Sequence, residues 1–257
     1  MSIYISVISH GHSDLINKLS CLENLSKHYN IIIKSNKFGD DFSKLEENIN
    51  IHWINNQYNC GFGKNNNIVY SYCVKNLKMV EDDYFIILNP DVIVNYNAIN
   101  ALIEEMIRDK VLIATINLFK DKKNSIYDCS IRMFPSLKHF IKSFLGLGNS
   151  SIVDKSKIIE PCHIDWAAGS FLAIQSCHYL KLGGFDEKYF MYCEDIDICY
   201  RSFLMNIPVK YYPAIHAIHL AKHANRKIFS KHFYWHFSSA IRFLLTKKNL
   251  TKMKSSI

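Results

Sequence analysis

Three carboxylates fall within four positions at Glu194, Asp195 and Asp197, and a fourth, Asp91, closes an apolar run in Asn89-Pro90-Asp91. A carboxylate at the end of a strand can hold Mg²⁺ or Mn²⁺ through oxygen while the ion bridges a diphosphate. A carboxylate among like charges holds its proton more tightly, which suits a general base. Plainer readings stand beside these. Asn-Pro-Asp is also a turn in which Asp91 accepts local backbone hydrogen bonds. Acidic residues in a first helical turn complement the macrodipole, and Asp197 can pair with Arg201 at i, i+4. Asp195 falls near the edge of the apolar stripe Ile196, Cys199, Tyr200, Phe203 and Leu204, free to face a cleft.

Two further groupings could do chemistry. Asn59-Cys60-Gly61-Phe62-Gly63-Lys64 leads into Asn65-Asn66-Asn67, where glycines let backbone approach a ligand and a helix start offers free N–H groups to an anion. Its spacing is neither that of a P-loop nor that of the dinucleotide fingerprint, so neither an ATPase nor a dehydrogenase is indicated. Histidines gather at 216, 219 and 223, then at 232 and 236. Tyr211-Tyr212-Pro213 argues for an extended segment there, and a metal role and a structural role both remain open.

The elements that must position these residues follow from hydrophobic periodicity. Ile3 to Ile8, Ile31 to Ile33, Ile49 to Ile54, Tyr84 to Leu88 and Leu112 to Phe119 read as strands. Helices are expected from a Ser13 cap through Leu25, from Asn65 to Met79 and from Ala98 to Arg108. This alternation predicts an α/β fold with a mostly parallel sheet flanked by helices, and ligands at the carboxyl ends of its strands. Residues 120 to 160 lose the pattern and read as an excursion. Order returns with a strand at Ser170 to Ile174, helices at Ser176 to Leu182 and Asp195 to Met205, and short strands near Val209 to Tyr212. The domain reading is 1–222, with a nucleotide-binding half at about 1–118 and an acceptor half at about 160–222. Residues 223–257 form a helical extension.

Composition narrows the classes. About half of the 257 residues are hydrophobic and 21% are charged, which is globular rather than disordered. Met1 to Ser9 has no basic leader, and no apolar run reaches the roughly 18 residues of a membrane span. The eight cysteines contain no C-x-x-C pair and read as reduced, mostly buried thiols. The net charge of +8 is carried by the tail, where lysines and arginines alternate with Phe233, Trp235, Phe237 and Phe243. Such a segment suits an interfacial helix on a membrane, or a helix packed on the core with solvated lysines. A nucleic-acid binder is disfavoured because the carboxylates would repel phosphate unless a metal intervened.

The ordered set Ser9-His10-Gly11-His12, Gly61-Phe62-Gly63, Leu88-Asn89-Pro90-Asp91, Asp165-Trp166 with Ala168-Gly169-Ser170-Phe171, Gly184-Phe185-Asp186 and Phe190-Met191-Tyr192-Cys193-Glu194-Asp195-Ile196-Asp197 resembles family 2 glycosyltransferases. These are inverting enzymes of GT-A type with one Rossmann-like nucleotide-binding domain. Within the family it most resembles the rhamnosyltransferases of bacterial O-antigen and related polysaccharide assembly. The resemblance implies that Ser9, His10, Asn36, Gly61, Phe62, Asn67, Asn89 and Asp91 line the nucleotide sugar, and that Trp166, Gly169 and Ser170 shape the donor-sugar and acceptor pocket. It makes Asp195 the catalytic base, supported by Glu194, and Asp91 with His219 the ligands of Mg²⁺ or Mn²⁺. It further implies dTDP-rhamnose as donor, a polyprenyl-diphosphate-linked sugar as acceptor and a peripheral position at the cytoplasmic face of the inner membrane. Transfer of another hexose from a UDP-sugar, and a non-catalytic binding module, are the alternatives. Two departures stand out: Ser35-Asn36 replaces the family's Asp-Asn, and Asn89 replaces the first aspartate of its Asp-x-Asp element.

Overall fold

The computed structural model describes residues 1–148, 151–221 and 231–257. The first half runs β1 (Ile3–Ser9), α1 (Ser13–Leu19), α2 (Cys21–Leu25), β2 (Asn30–Ser35), α3 (Ser43–Glu46), β3 (Ile51–Ile54), α4 (Phe62–Asn76), β4 (Tyr84–Leu88), β5 (Val92–Ile93), α5 (Tyr96–Arg108) and β6 (Ile113–Phe119). The second half runs β7 (Ile131–Arg132), α6 (Leu137–Phe144), β8 (Cys162–Ile164), β9 (Trp166–Ala167), β10 (Phe171–Gln175), α7 (Ser176–Leu182), α8 (Glu194–Leu204), β11 (Val209–His219) and α9 (Lys231–Thr246).

Among the described residues one nine-stranded sheet has the order β3-β2-β1-β4-β10-β6-β11-β5, with β8 also on β11. The strands β3, β2, β1 and β4 are parallel, as are β6 and β11. Between these blocks β10 runs antiparallel to both β4 and β6. Chain order reverses at β1, where β2 leaves on one side and β4 on the other. The crevice beyond the carboxyl ends of β1 and β4 is therefore the expected ligand position, and Asn89-Pro90-Asp91 follows β4 there.

The strands are buried on both faces, so they read as continuous apolar runs rather than alternating ones. Ile5 and Val7 of β1 enter one core with Ile99, Leu102, Ile103 and Met106 of α5. Tyr4 and Ile8 enter the other with Val69, Tyr70 and Cys73 of α4, Ile198 of α8 and Phe243 of α9. The four α5 side chains contribute on the order of 10 kcal/mol of gross burial energy, enough to fix the β4–α5 unit and the Asp91 turn within it. Asn95 caps α5 by accepting from the Ala98 N–H at 2.9 Å.

Some sequence expectations shift. Ser13 is the first residue of α1 rather than its cap, and its N–H donates to Asp40 Oδ1 at 3.2 Å. The helix then breaks at Ser20, which has φ 50°, so Leu22 and Leu25 lie on α2. The last strand continues through His219, and a bulge at 213–215 shifts its register on β6 because Pro213 cannot donate to the ladder. The 120–160 excursion is folded. Asp121 accepts backbone N–H bonds from Lys123, Ser125 and Ile126 to close a hairpin, β7 pairs with β9, and α6 follows.

Candidate active site

A cavity of about 890 Å³ opens beyond β4, lined by Asn89 and Asp91 on one side and by Glu194 and Asp195 on the other. Phe62, Trp166, Gly169, Ser170 and His219 also line it. Carboxylates that are a hundred residues apart in sequence thus share one cleft.

The Asp91 side is built by strand pairing. Antiparallel pairing of β5 with β11 sets His219 opposite Val92, next to Asp91, and the Leu220 N–H donates to the Asp91 carbonyl at 3.0 Å. The Asp121 hairpin returns Asp128 to the same place, its N–H donating to the Leu118 carbonyl at 2.9 Å. His219 consequently lies between two carboxylates, with Nδ1 2.7 Å from Asp128 Oδ2 and Nε2 3.3 Å from Asp91 Oδ1. Burial disfavours the charged imidazole, but the bonds and charges of Asp128 and Asp91 outweigh it and push His219 up to about 9. Burial likewise acts to raise both carboxyls, and the His219 interaction holds each below its ordinary range.

These residues fit a divalent cation. Neighbouring ligands of an octahedral ion with bonds of about 2.1 Å lie roughly 3 Å apart, close to the 3.3 Å between Asp91 Oδ1 and His219 Nε2. Asp128 fixes the ring by its other nitrogen, as carboxylates commonly do behind histidine ligands. Among the described residues no group of three or more such side chains converges as a complete ligand set. The remaining positions would fall to diphosphate and water, the usual arrangement for Mg²⁺.

The Asp195 side is built by a strained turn. Tyr192 and Cys193 have φ 72° and 62°, a left-handed pair of non-glycine residues that delivers Glu194 and Asp195 to the start of α8. Asp195 Oδ2 accepts from the Gly169 N–H at 3.2 Å and Oδ1 from the Ile196 N–H at 2.9 Å. Burial raises the Asp195 carboxyl, with these N–H bonds and the Arg132 charge offsetting only part of it. Glu194 is raised well above its ordinary value by burial and by Asp195, and its Oε2 is buried with no protein partner. Ser170 Oγ is buried and unpartnered too. Gly169 keeps this approach close: a Cβ would stand 2.9 Å from the Phe62 ring, which would have to shift, and 3.8 Å from Asp195 Cβ. Asp197 points away into the core and pairs with Arg201 at 2.8 Å, as its spacing suggested.

Several expected nucleotide contacts lie elsewhere. Asn67 is fully buried, donating to Phe185 O and Glu187 and accepting from the Tyr179 hydroxyl and Phe185 N–H; it joins α4 to the 185–187 turn and cannot line a ligand. Gly61 serves packing, since a Cβ there would lie 2.6 Å from the Phe190 carbonyl, and the Phe62 N–H donates to that carbonyl at 3.0 Å. Packing against Phe190 thus accounts for Gly61, and Phe62 enters the cavity. Asn36 spends its amide on both backbone groups of Cys60. Ser9 accepts from the His12 N–H at 3.0 Å, and His10 is exposed; Ser9, His10, Asn36, Gly61 and Asn67 are all outside the cavity lining. His223 lies outside the described residues.

Sequence reading missed Asp128 and Arg132, both from the excursion. Arg132 lines the cavity, stacks on Trp166 at 5.6 Å and donates through Nε to the Cys129 carbonyl. The available signal was Asp128-Cys129-Ser130-Ile131-Arg132 as a polar-edged strand after a turn, too short to read by periodicity. Behind it the buried Lys155 donates to Ser130 Oγ at 2.7 Å, and burial lowers it to about 8 against the pull of Asp128.

No protein-family model matches the chain. It is 40% identical over 256 residues to rhamnosyltransferase WbbL of Escherichia coli K12, covering 97% of this chain and 95% of that protein. It is 30% identical over 170 residues to the N-acetylglucosaminyl-diphospho-decaprenol L-rhamnosyltransferase of Mycobacterium tuberculosis, covering 63% of this chain and 55% of that one. The solved structure of S. aureus TarS superposes on the whole chain with a TM-score of 0.61 at 9% identity, spanning 41% of TarS. TarS residues 1–349 in complex with UDP-GlcNAc superpose with a TM-score of 0.58 at 9% identity, over 100% of this chain and 69% of that one. Fold and cleft together define a glycosyltransferase of GT-A architecture. The chain belongs to the family 2 glycosyltransferases, in the group that contains these rhamnosyltransferases.

Proposed function

We propose that this enzyme transfers L-rhamnose from dTDP-β-L-rhamnose, with inversion, to N-acetylglucosamine carried on a polyprenyl diphosphate such as undecaprenyl diphosphate. The observation that carries the reading is the shared cleft of Asp91 and Asp195. The relatives' names support the sugar, and the mycobacterial relative's name supports the acceptor class. Asp195 removes the proton from the acceptor hydroxyl. That oxygen then bonds to the anomeric carbon from the face opposite the diphosphate, and the carbon–oxygen bond to the diphosphate breaks with its electron pair leaving on the nucleotide. Burial raises Asp195, making it a stronger base than an ordinary carboxylate. Asp91 and His219 would hold Mg²⁺ or Mn²⁺, which supplies neutralising charge to the departing diphosphate. Trp166 and Arg132 wall the sugar side, and Gly169 orients Asp195. Among the described residues no helix is long and apolar enough to cross a membrane; a lipid-linked acceptor puts the enzyme at the cytoplasmic face of the inner membrane.

The test is a donor panel with a short-chain polyprenyl-diphospho-N-acetylglucosamine acceptor, measuring dTDP against UDP release and the anomeric configuration of the product. Release of dTDP and an inverted rhamnoside are expected. Faster turnover of a UDP-hexose would replace rhamnose with that sugar, and a retained configuration would remove the single-displacement role of Asp195.

A further inference from the structure

The last 60 residues contain eleven lysines and arginines and no aspartate or glutamate, whereas the first 197 hold twenty basic residues against twenty-three acidic. The whole net positive charge therefore comes from residues 198–257, the segment that contains α9. On that helix Tyr234, Phe237, Ile241 and Leu245 are exposed, and their i, i+3, i+7, i+11 spacing makes one stripe. Its opposite side is spent on the core through Ser239, Ala240 and Phe243, so α9 is both a packed helix and an open one. The excursion supplies a second stripe. Leu137 and Ile141 of α6 and Leu145 just after it, four residues apart, are exposed as well, while Phe140 faces inward. The helices meet edge to edge, with Phe144 of α6 5.6 Å from Phe233 and 5.7 Å from Phe237 of α9, measured between ring centroids. Neither helix carries an acidic residue, and Lys138, Lys142 and Lys231 interleave the apolar ones. Both also contribute to the lining of the cavity, through His139, Phe140 and Ser143 of α6 and His232 and His236 of α9.

We infer that α6 and α9 together form a docking surface for an anionic phospholipid bilayer, placed so that the cavity opens at the membrane between them. Apolar side chains interleaved with lysines match the two parts of such an interface, acyl boundary and anionic headgroup. A second copy of this chain would set Lys138, Lys142 and Lys231 against their own counterparts with no acidic residue on either helix to pair them, which disfavours self-association through this face. The inference extends the lipid-linked acceptor reading: a sugar on a polyprenyl diphosphate is presented at the headgroup level, where this cavity would open. The excursion thereby gains a role that its lack of periodicity concealed, since α6 is half of the surface.

Flotation of the full chain with vesicles tests this. Wild type is expected to float with phosphatidylglycerol-containing vesicles, less so at high salt, and weakly with pure phosphatidylcholine. Ile141→Asp with Leu145→Asp should cut vesicle affinity by about tenfold or more, while Ile49→Asp, at an exposed apolar position before β3, should leave it unchanged. Thermal melts confirm that each variant is folded. Equal flotation of wild type and the α6 double variant would overturn the surface, as would equal binding to neutral vesicles. Failure of wild type to float, with a dimer that the double variant converts to monomer, would assign the face to self-association. Loss of rhamnose transfer from every donor with flotation behaving as described would instead remove the functional reading and leave the surface intact.

Discussion

Raising the pH of the metal-free enzyme from about 6 to about 9 should destabilise it through His219, and His219→Asn isolates that share from any contribution of the raised Glu194 and Asp195 carboxyls. The ring sits between Asp128 and Asp91 and reaches about 9 in the folded chain against an ordinary value of 6.5. A group raised on folding stabilises the state that binds its proton, so the contribution is complete below about pH 6.5 and disappears as the pH climbs through about 9. The shift corresponds to about 3 kcal/mol, and a chain of this length would lose roughly 6–12 °C in Tm for that amount. Asp91 and Asp128 are lowered, so their share fades only in acid. Lys155 acts in the opposite sense: lowered to about 8 from 10.5, it adds stability as the pH rises above about 8. Comparison with His219→Asn, which leaves Lys155 in place, separates the two. Calorimetric melting in EDTA across this range should show wild type falling relative to His219→Asn, with Asp128→Asn between them because it removes one of the two negative charges that hold the His219 proton. Parallel curves for wild type and His219→Asn would refute the buried ion triad. Mg²⁺ or Mn²⁺ must displace the same proton, so cation-induced stabilisation should strengthen with rising pH.

Asp195→Asn preserves shape but cannot take a proton, and should lower kcat by about 10²–10⁴-fold with donor affinity by calorimetry little changed. In wild type the acid limb of kcat/KM should lie above the ordinary carboxylate range, since burial raises Asp195 and activity requires its ionised form; a pH–rate profile checks this. Gly169→Ala places a methyl 2.9 Å from the Phe62 ring beside Asp195, so transfer should fall sharply while the melt shows a cost of about 1–2 kcal/mol. Asn67→Ala leaves the buried Tyr179 hydroxyl and the Phe185 N–H without their acceptor. It should cost about 3 kcal/mol in urea unfolding yet keep normal turnover per folded molecule, which a nucleotide-lining residue would not.

How far the primary structure reaches is clear from particular residues. The strand Tyr84–Leu88 was legible to the residue, because a buried parallel strand is a short apolar run ended by a proline. Asp91 and Asp195 were legible as chemistry because carboxylates beside apolar sequence are costly unless used or paired, and α8 begins within one residue of its expected start. Asn67 was misread because its side chain is spent on contacts 112 to 188 residues away, which no local pattern reports. Asp128 was missed for the converse reason. Its meaning depends on a hairpin closed by Asp121 and on the β5–β11 pairing that presents His219 to it.

Local propensity and periodicity therefore determined the element types, the mostly parallel character of the sheet and the candidate acidic residues. Tertiary structure alone decided which polar residues face the cleft and which satisfy the core, because that division depends on long-range strand register and on where buried hydrogen-bonding groups find partners. It also decided that an excursion without recognisable period brings Asp128 and Arg132 to the cleft and sets α6 beside α9 along its lining.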